Sequence, residues 1–153
     1  MPNPEPDAPR PASAQTVTLA TCTYQEFVPA MGHPVRTTVG HPRFFRYELA
    51  GHAKLITPRR EFLQRPFDAY TLLYRRHLDG TGLDAILAEF ADMAARHEPG
   101  RPLVLLCFDK LDEEGSWCHR SMFRQWYQEQ TGETIPELGA MMRPRPWVQS
   151  ELL

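Results

Sequence analysis

Nowhere does the sequence hold the roughly 20 consecutive apolar residues that crossing a bilayer requires, which excludes a membrane-spanning helix. Cysteine is scarce: Cys22, Cys107 and Cys118 are the only three, and no two form a C-x-x-C pair. So low and odd a count excludes a disulfide framework and leaves metal binding, catalysis or packing as roles for these thiols. An excess of basic charge is also missing. A formal charge of −2 and a pI near 6.3 give little to gain from counterion release, so nonspecific DNA binding is not expected. Lysine is nearly absent, since of 17 basic residues only Lys54 and Lys110 are lysines; beside abundant Ala and Pro, this reads as readily as coding composition as function. Nothing in it indicates repeats, and a single domain is expected.

What is present is ordinary for one globular domain: 153 residues, 42% hydrophobic and 24% charged, enough to close around a single core. Residues 1–15 are dense in proline without an apolar core segment, so they read as a disordered lead rather than a signal peptide, and the chain is expected to stay in the cytosol. Residues 16–138 are expected to form the domain and 139–153 a Pro-rich tail that wraps the surface or frays.

Val17-Thr18-Leu19-Ala20-Thr21-Cys22-Thr23 is β-branched and partly alternating, as a half-buried strand is. Val35-Arg36-Thr37-Thr38-Val39 alternates before Gly40 and gives a second strand. From His41 to Arg65 no period lasts, so this stretch reads as a long loop or hides a short element. Pro66 suits the start of a helix from Phe67 towards Leu78. Leu83, Ile86, Leu87, Phe90, Met93 and Ala94 then recur at helical spacing until Pro99-Gly100. Leu103 to Phe108 lacks polar alternation and reads as a central strand covered on both faces, the appearance of a parallel strand. A last helix is expected from about Trp117 to Thr131, with Ser116 as N-cap and Gly132 at its end. Alternating strands and helices predict an α/β fold: a small, Rossmann-like, three-layer domain with a mostly parallel sheet.

In such sheets ligands sit beyond the carboxyl ends of the strands, where helices begin. Cys22, Tyr24, Cys107 and Asp109 fall at such ends, and Cys118-His119-Arg120 opens the last helix. A helix start offers free N–H groups and partial positive charge, which favour an anion or a thiolate. Arg120, Arg124 and Arg36 are placed to reinforce that field, and Asp109, Asp112, Glu113 and Glu114 form an acidic loop beside it. Cys118 is thus the candidate nucleophile, His119 the candidate base and Asp109 a candidate catalytic carboxylate, with Arg120, Arg36, Tyr24, Cys107 and Arg124 as candidate ligand contacts. Each has a plainer reading: Cys107 as a buried hydrophobe, His119 packed against Phe123, and Arg120 and Arg124 paired with Glu113 or Glu114. A zinc site from Cys107, Cys118 and His119, with Cys22, is disfavoured because neighbouring helix residues point about 100° apart. Cys118 and Arg124 have the C-x5-R spacing of thiolate phosphatases, but the residues between them contain no glycine and look helical. No metal or cofactor is expected.

Leu103-Val104-Leu105-Leu106-Cys107-Phe108, the acidic spacer, Trp117-Cys118-His119-Arg120-Ser121, Thr131-Gly132-Glu133 and Ile135-Pro136-Glu137-Leu138 together resemble the C-terminal signature of the domain-of-unknown-function family 488. Upstream, Cys22-Thr23-Tyr24, Pro34-Val35-Arg36 and Gly40-His41-Pro42-Arg43-Phe44-Phe45 are similar to its short phage and actinobacterial branch, so the likeness runs from about Val17 to Leu138. The resemblance implies a small Rossmann-like domain with no assigned reaction. Typical members follow the strand cysteine with a small residue, a glutamate and a lysine; here Phe108-Asp109-Lys110 stand there, before a longer spacer.

Three functions fit. As an enzyme, the domain would act on a small anionic ligand, such as a nucleotide or modified base, at the Cys118-His119-Arg120 helix start. As a binding module, the pocket would recognise a nucleotide or nucleic-acid end, with Tyr24 or Phe44 stacking on it. As a structural device, the same three residues would lock the last helix onto the sheet.

Overall fold

Strand β4 (Leu103–Cys107) is buried at all five positions because it lies inside a sheet and is covered on both faces. The computed structural model describes residues 17–108 and 118–139. Within them β1 (Leu19–Thr23), β2 (His33–Arg36), β3 (Gly51–His52) and β4 form a four-stranded, all-parallel sheet in the order β1-β4-β2-β3. Leu19 lies opposite Leu103 and Thr23 opposite Cys107 on one side of β4; His33 lies opposite Leu103 and Arg36 opposite Leu106 on the other. Three α-helices follow: α1 (Phe67–Thr81), α2 (Leu83–Ala94) and α3 (His119–Thr131).

The period of two along each strand divides the core between two faces. Leu19, Val35, Leu103 and Leu105 point to the helices, against Tyr74, Leu78, Ile86, Phe90, Phe123 and Trp126. Ala20, Cys22, Val104 and Leu106 point the other way, under Tyr24, Phe27, Met31, Phe45 and Leu49. The domain is therefore the expected small α/β unit in three layers, with irregular, aromatic-rich chain forming the third. The β1-to-β2 connection runs rightwards over that irregular face, and the β3-to-β4 connection returns leftwards through α1 and α2 over the other. Opposite directions on opposite faces are what one crossover hand requires.

Two expectations need correction. The second strand ends at Arg36, short of the expected Val39, because Thr37 reaches β4 through its hydroxyl, donating to the Leu106 carbonyl at 2.6 Å. The 41–65 stretch is not a bare loop: it contains β3 and two 3-10 turns, Lys54–Ile56 and Arg60–Phe62. Two residues are too few to show a period, so β3 left no mark in the sequence. Residues 136–138, at the end of the expected domain, are held against the sheet. The Thr21 N–H donates to the Pro136 carbonyl at 2.9 Å and the Leu138 N–H to the Thr21 carbonyl at 2.7 Å, so this segment pairs with the outer edge of β1. The expected lead, the acidic loop 109–116, Ser116 and the tail from 140 onwards lie outside the described residues.

Candidate functional site

β4 and β2 are neighbours whose outgoing connections leave in opposite directions, and the crevice between such strands is where ligands settle in open α/β sheets. A cavity of about 360 Å³ opens there. Thr38, Val39 and Gly40 line it from beyond β2, Phe108 from beyond β4, and Pro58, Leu63 and Tyr70 from the α1 side. Cys118 and His119 are the other described residues of the wall.

Cys118, not Ser116, is the N-cap of α3: its backbone is extended (φ −163°, ψ 173°) and its N–H donates to Ser121 Oγ at 3.4 Å. The helix then buries His119, Arg120, Met122, Phe123, Trp126 and Tyr127, a stripe that seats α3 on the sheet. With that seating Cys118 Sγ lies 3.3 Å from Cys107 Sγ. Arg120 Nη1 donates to Cys107 Sγ at 2.9 Å and approaches Cys118 Sγ at 3.5 Å.

Arg120 is 2% exposed and Glu137 1%, and together they form a bidentate pair: Nε donates to Oε1 at 2.8 Å and Nη2 to Oε2 at 2.7 Å. Removing two charges from water costs several kcal/mol per ion unless further bonds satisfy them. Here they do. Thr21 Oγ1 donates to Glu137 Oε1 at 2.6 Å, and the Gly139 N–H to Oε2 at 3.2 Å. A Cβ at position 139 would lie 2.5 Å from Glu26 Oε1 and 2.8 Å from Glu137 Oε2, so a side chain there would displace Glu26 and press on the anchored Glu137.

This arrangement polarises the thiol pair. The hydrogen bond from Cys107 lowers the Cys118 pKa, and the Arg120 charge adds to the effect against burial. Burial, and then the Cys118 sulfur, push Cys107 well up. The two sulfurs are thus driven apart, Cys118 downwards and Cys107 upwards. Burial lowers Arg120, but the Glu137 carboxylate and the two sulfurs outweigh it and keep the guanidinium charged. Burial raises Glu137, and Arg120 overrides that to hold its carboxyl below the usual range. His119 falls to about 4 through burial, with the Arg120 charge adding to it and contact with Thr37 partly offsetting it. Because the Thr37 hydroxyl already donates to Leu106, it accepts from His119 Nε2 at 3.0 Å, which fixes a neutral ring protonated at Nε2.

Of the residues singled out in the sequence, Cys107, Cys118, His119 and Arg120 come together. Tyr24, Arg36 and Arg124 do not join them. Tyr24 is buried on the other face of the sheet, among Phe44, Phe45 and Phe108, and donates to Thr38 Oγ1 at 2.8 Å, so it presents no stacking surface. Arg36 turns back onto the carbonyls of Thr38 and Val39, and bracing this bend is its role at the cavity rim. Arg124 donates to the Ile135 carbonyl at 2.8 Å, beside a separate hollow of about 200 Å³. The first turns of α3 occupy the residues between Cys118 and Arg124, so the C-x5-R reading lacks its anion loop. Arg120 pairs with Glu137 rather than reinforcing an anion's field. Cys22 lies on the opposite face from Cys107 and Cys118 and shares no site with them. Asp109 lies outside the described residues.

Sequence reasoning missed Glu137, Thr37, Thr38, Thr21 and Tyr70. Glu137 alone had left a trace, as part of the Ile135-Pro136-Glu137-Leu138 resemblance. Compared with known protein families, with curated proteins and with solved structures, the chain finds no match in any of the three.

Proposed function

We propose that the chain is a thiol-dependent enzyme of the family-488 type, holding a small ligand in the cavity at the strand ends and using Cys118 as nucleophile. One observation carries the reading: Cys118 lines the cavity, and its sulfur lies 3.3 Å from Cys107 Sγ and 3.5 Å from Arg120 Nη1. A thiolate prepared this way needs no separate base. His119, neutral and tied to Thr37, positions the helix start and the cavity wall.

The sequence suggested an anionic ligand. The Arg120 guanidinium on which that suggestion leaned is turned to Glu137 and the two sulfurs and does not line the cavity, whose described lining offers hydroxyls and apolar surface without Arg or Lys. A thiolate repels an anion, so the reading narrows to an electrophile without formal charge. A flat, weakly polar ring such as a modified base fits the volume and the wall of Val39, Pro58, Leu63, Tyr70 and Phe108 better than a phosphate does.

Iodoacetamide, a small neutral electrophile, tests this in the folded protein with the modified cysteines mapped by mass spectrometry. Burial pushes Cys22 up to about 11 whereas Cys107 and Arg120 lower Cys118, so Cys118 carries the larger thiolate fraction at pH 7. Alkylation is expected at Cys118 first. Equal labelling of the three cysteines, or labelling only on unfolding, overturns the proposal.

A further inference from the structure

Holding a proton near Cys118 does not require a second sulfur, since a hydroxyl would serve as well. The residue there is a cysteine, in contact with the first. The geometry points to a further activity at this site: reduction of a small hydroperoxide, in which Cys118 meets the peroxide and Cys107 resolves it by closing a Cys107–Cys118 disulfide. This inference rests on the preceding one in taking Cys118 as the reachable nucleophile.

Three features carry it. Cys118 lines the cavity and Cys107 does not, so an oxidant entering the cavity reaches Cys118 first while Cys107 waits behind it. The sulfurs are 3.3 Å apart and a disulfide spans about 2.05 Å, so closure needs an approach of little more than about 1 Å between an N-cap and a strand end. Arg120 Nη1 contacts both sulfurs while Glu137 anchors the rest of the guanidinium, so positive charge stays beside whichever sulfur is ionised and beside the hydroxide that leaves. Cys22, on the other face of the sheet, offers no competing partner.

The steps balance. The Cys118 thiolate attacks one peroxide oxygen; an S–O bond forms, the O–O bond breaks, and the alkoxide, or hydroxide from hydrogen peroxide, leaves and takes a proton from water. Cys118 is now a sulfenic acid and the peroxide is an alcohol or water. Cys107 then loses its proton and attacks the Cys118 sulfur. The S–S bond forms, the S–O bond breaks, and the departing hydroxide takes up that proton as water. One peroxide is reduced and two thiols are oxidised to one disulfide, which an external dithiol returns to thiols.

The test uses the full chain with hydrogen peroxide as oxidant, N-ethylmaleimide to block remaining thiols, non-reducing peptide mapping, and dithiothreitol as reductant. A Cys107–Cys118 crosslink is expected, formed in step with peroxide consumed and reversed by dithiothreitol. Cys107→Ala is expected to stop at a Cys118 sulfenic acid that dimedone traps. Peroxide turnover with dithiothreitol is expected to vanish in Cys118→Ser and to persist in Cys22→Ser. Wild-type protein that accumulates trapped sulfenic acid without the crosslink, while Cys118 still alkylates rapidly with iodoacetamide, overturns this inference and spares the nucleophile. Cys118 inert to both reagents overturns both. Mapping of the wild type decides the matter even where Cys107→Ala does not fold.

Discussion

Cys22 and Cys118 sit on opposite faces of one sheet, each almost wholly shielded from water, yet their surroundings drive them in opposite directions. Cys22 lies among Ala20, Tyr24, Phe27, Val104 and Leu106, with Met31 Sδ at 3.9 Å as its polar neighbour, and burial pushes it up to about 11. Cys118 is as enclosed, but it receives a hydrogen bond from Cys107 and the charge of Arg120, and its pKa falls. Burial alone makes a thiol inert. Burial next to an anchored cation and a second thiol prepares one for attack, because a charge in a low-dielectric site counts for more than the same charge in water.

Breaking the anchor should have the largest effect. Glu137→Ala leaves the Arg120 guanidinium buried without its partner and is expected to cost about 3–5 kcal/mol of stability in urea unfolding. A loss below about 1 kcal/mol would show that the pair does not hold the Cys118 side together.

Acid should act on the same side. His119 titrates near 4 when folded and near ~6.5 when unfolded, so the unfolded chain binds the extra proton first. Its contribution is complete above the unfolded value and disappears as pH falls towards the folded one, a loss of about 3 kcal/mol between them. The Glu137 carboxyl is also depressed, so its contribution is complete above the ordinary carboxyl range and fades as pH falls below it. Urea titrations across this range should show both, and His119→Gln should remove about half of the upper slope, leaving the share of His52, itself lowered to about 4. An unchanged slope in His119→Gln would remove His119 from the account.

The smallest effect belongs to the other face. Cys22→Ala removes one atom from an apolar layer and is expected to cost about 1 kcal/mol, with the iodoacetamide rate at Cys118 unchanged. A slowed Cys118 would mean that the two faces are coupled.

How much of this was legible beforehand follows the range of the forces involved. β4 and α2 could be read closely because burial on both faces of a strand, or on one face of a helix, writes a continuous pattern into the chain. Cys118-His119-Arg120 could be placed at a helix start by the same means. What the pattern could not carry was partnership. Arg120 has the same signature whether it binds a ligand or an internal carboxylate, and the carboxylate that claims it arrives 17 residues later, in a proline-flanked segment without periodicity. Thr37 and Thr38 looked like the polar half of a strand because only the fold shows that their hydroxyls bond Leu106 and Gly40.

Cys118 should ionise before either other thiol. Selective labelling of the cysteine β-carbons and NMR titration of the folded protein measures this directly. The Cys118 signal is expected to move first, with a midpoint below 9.0, while Cys107 and Cys22 stay protonated beyond it. A Cys118 midpoint at or above that of Cys22 would contradict it.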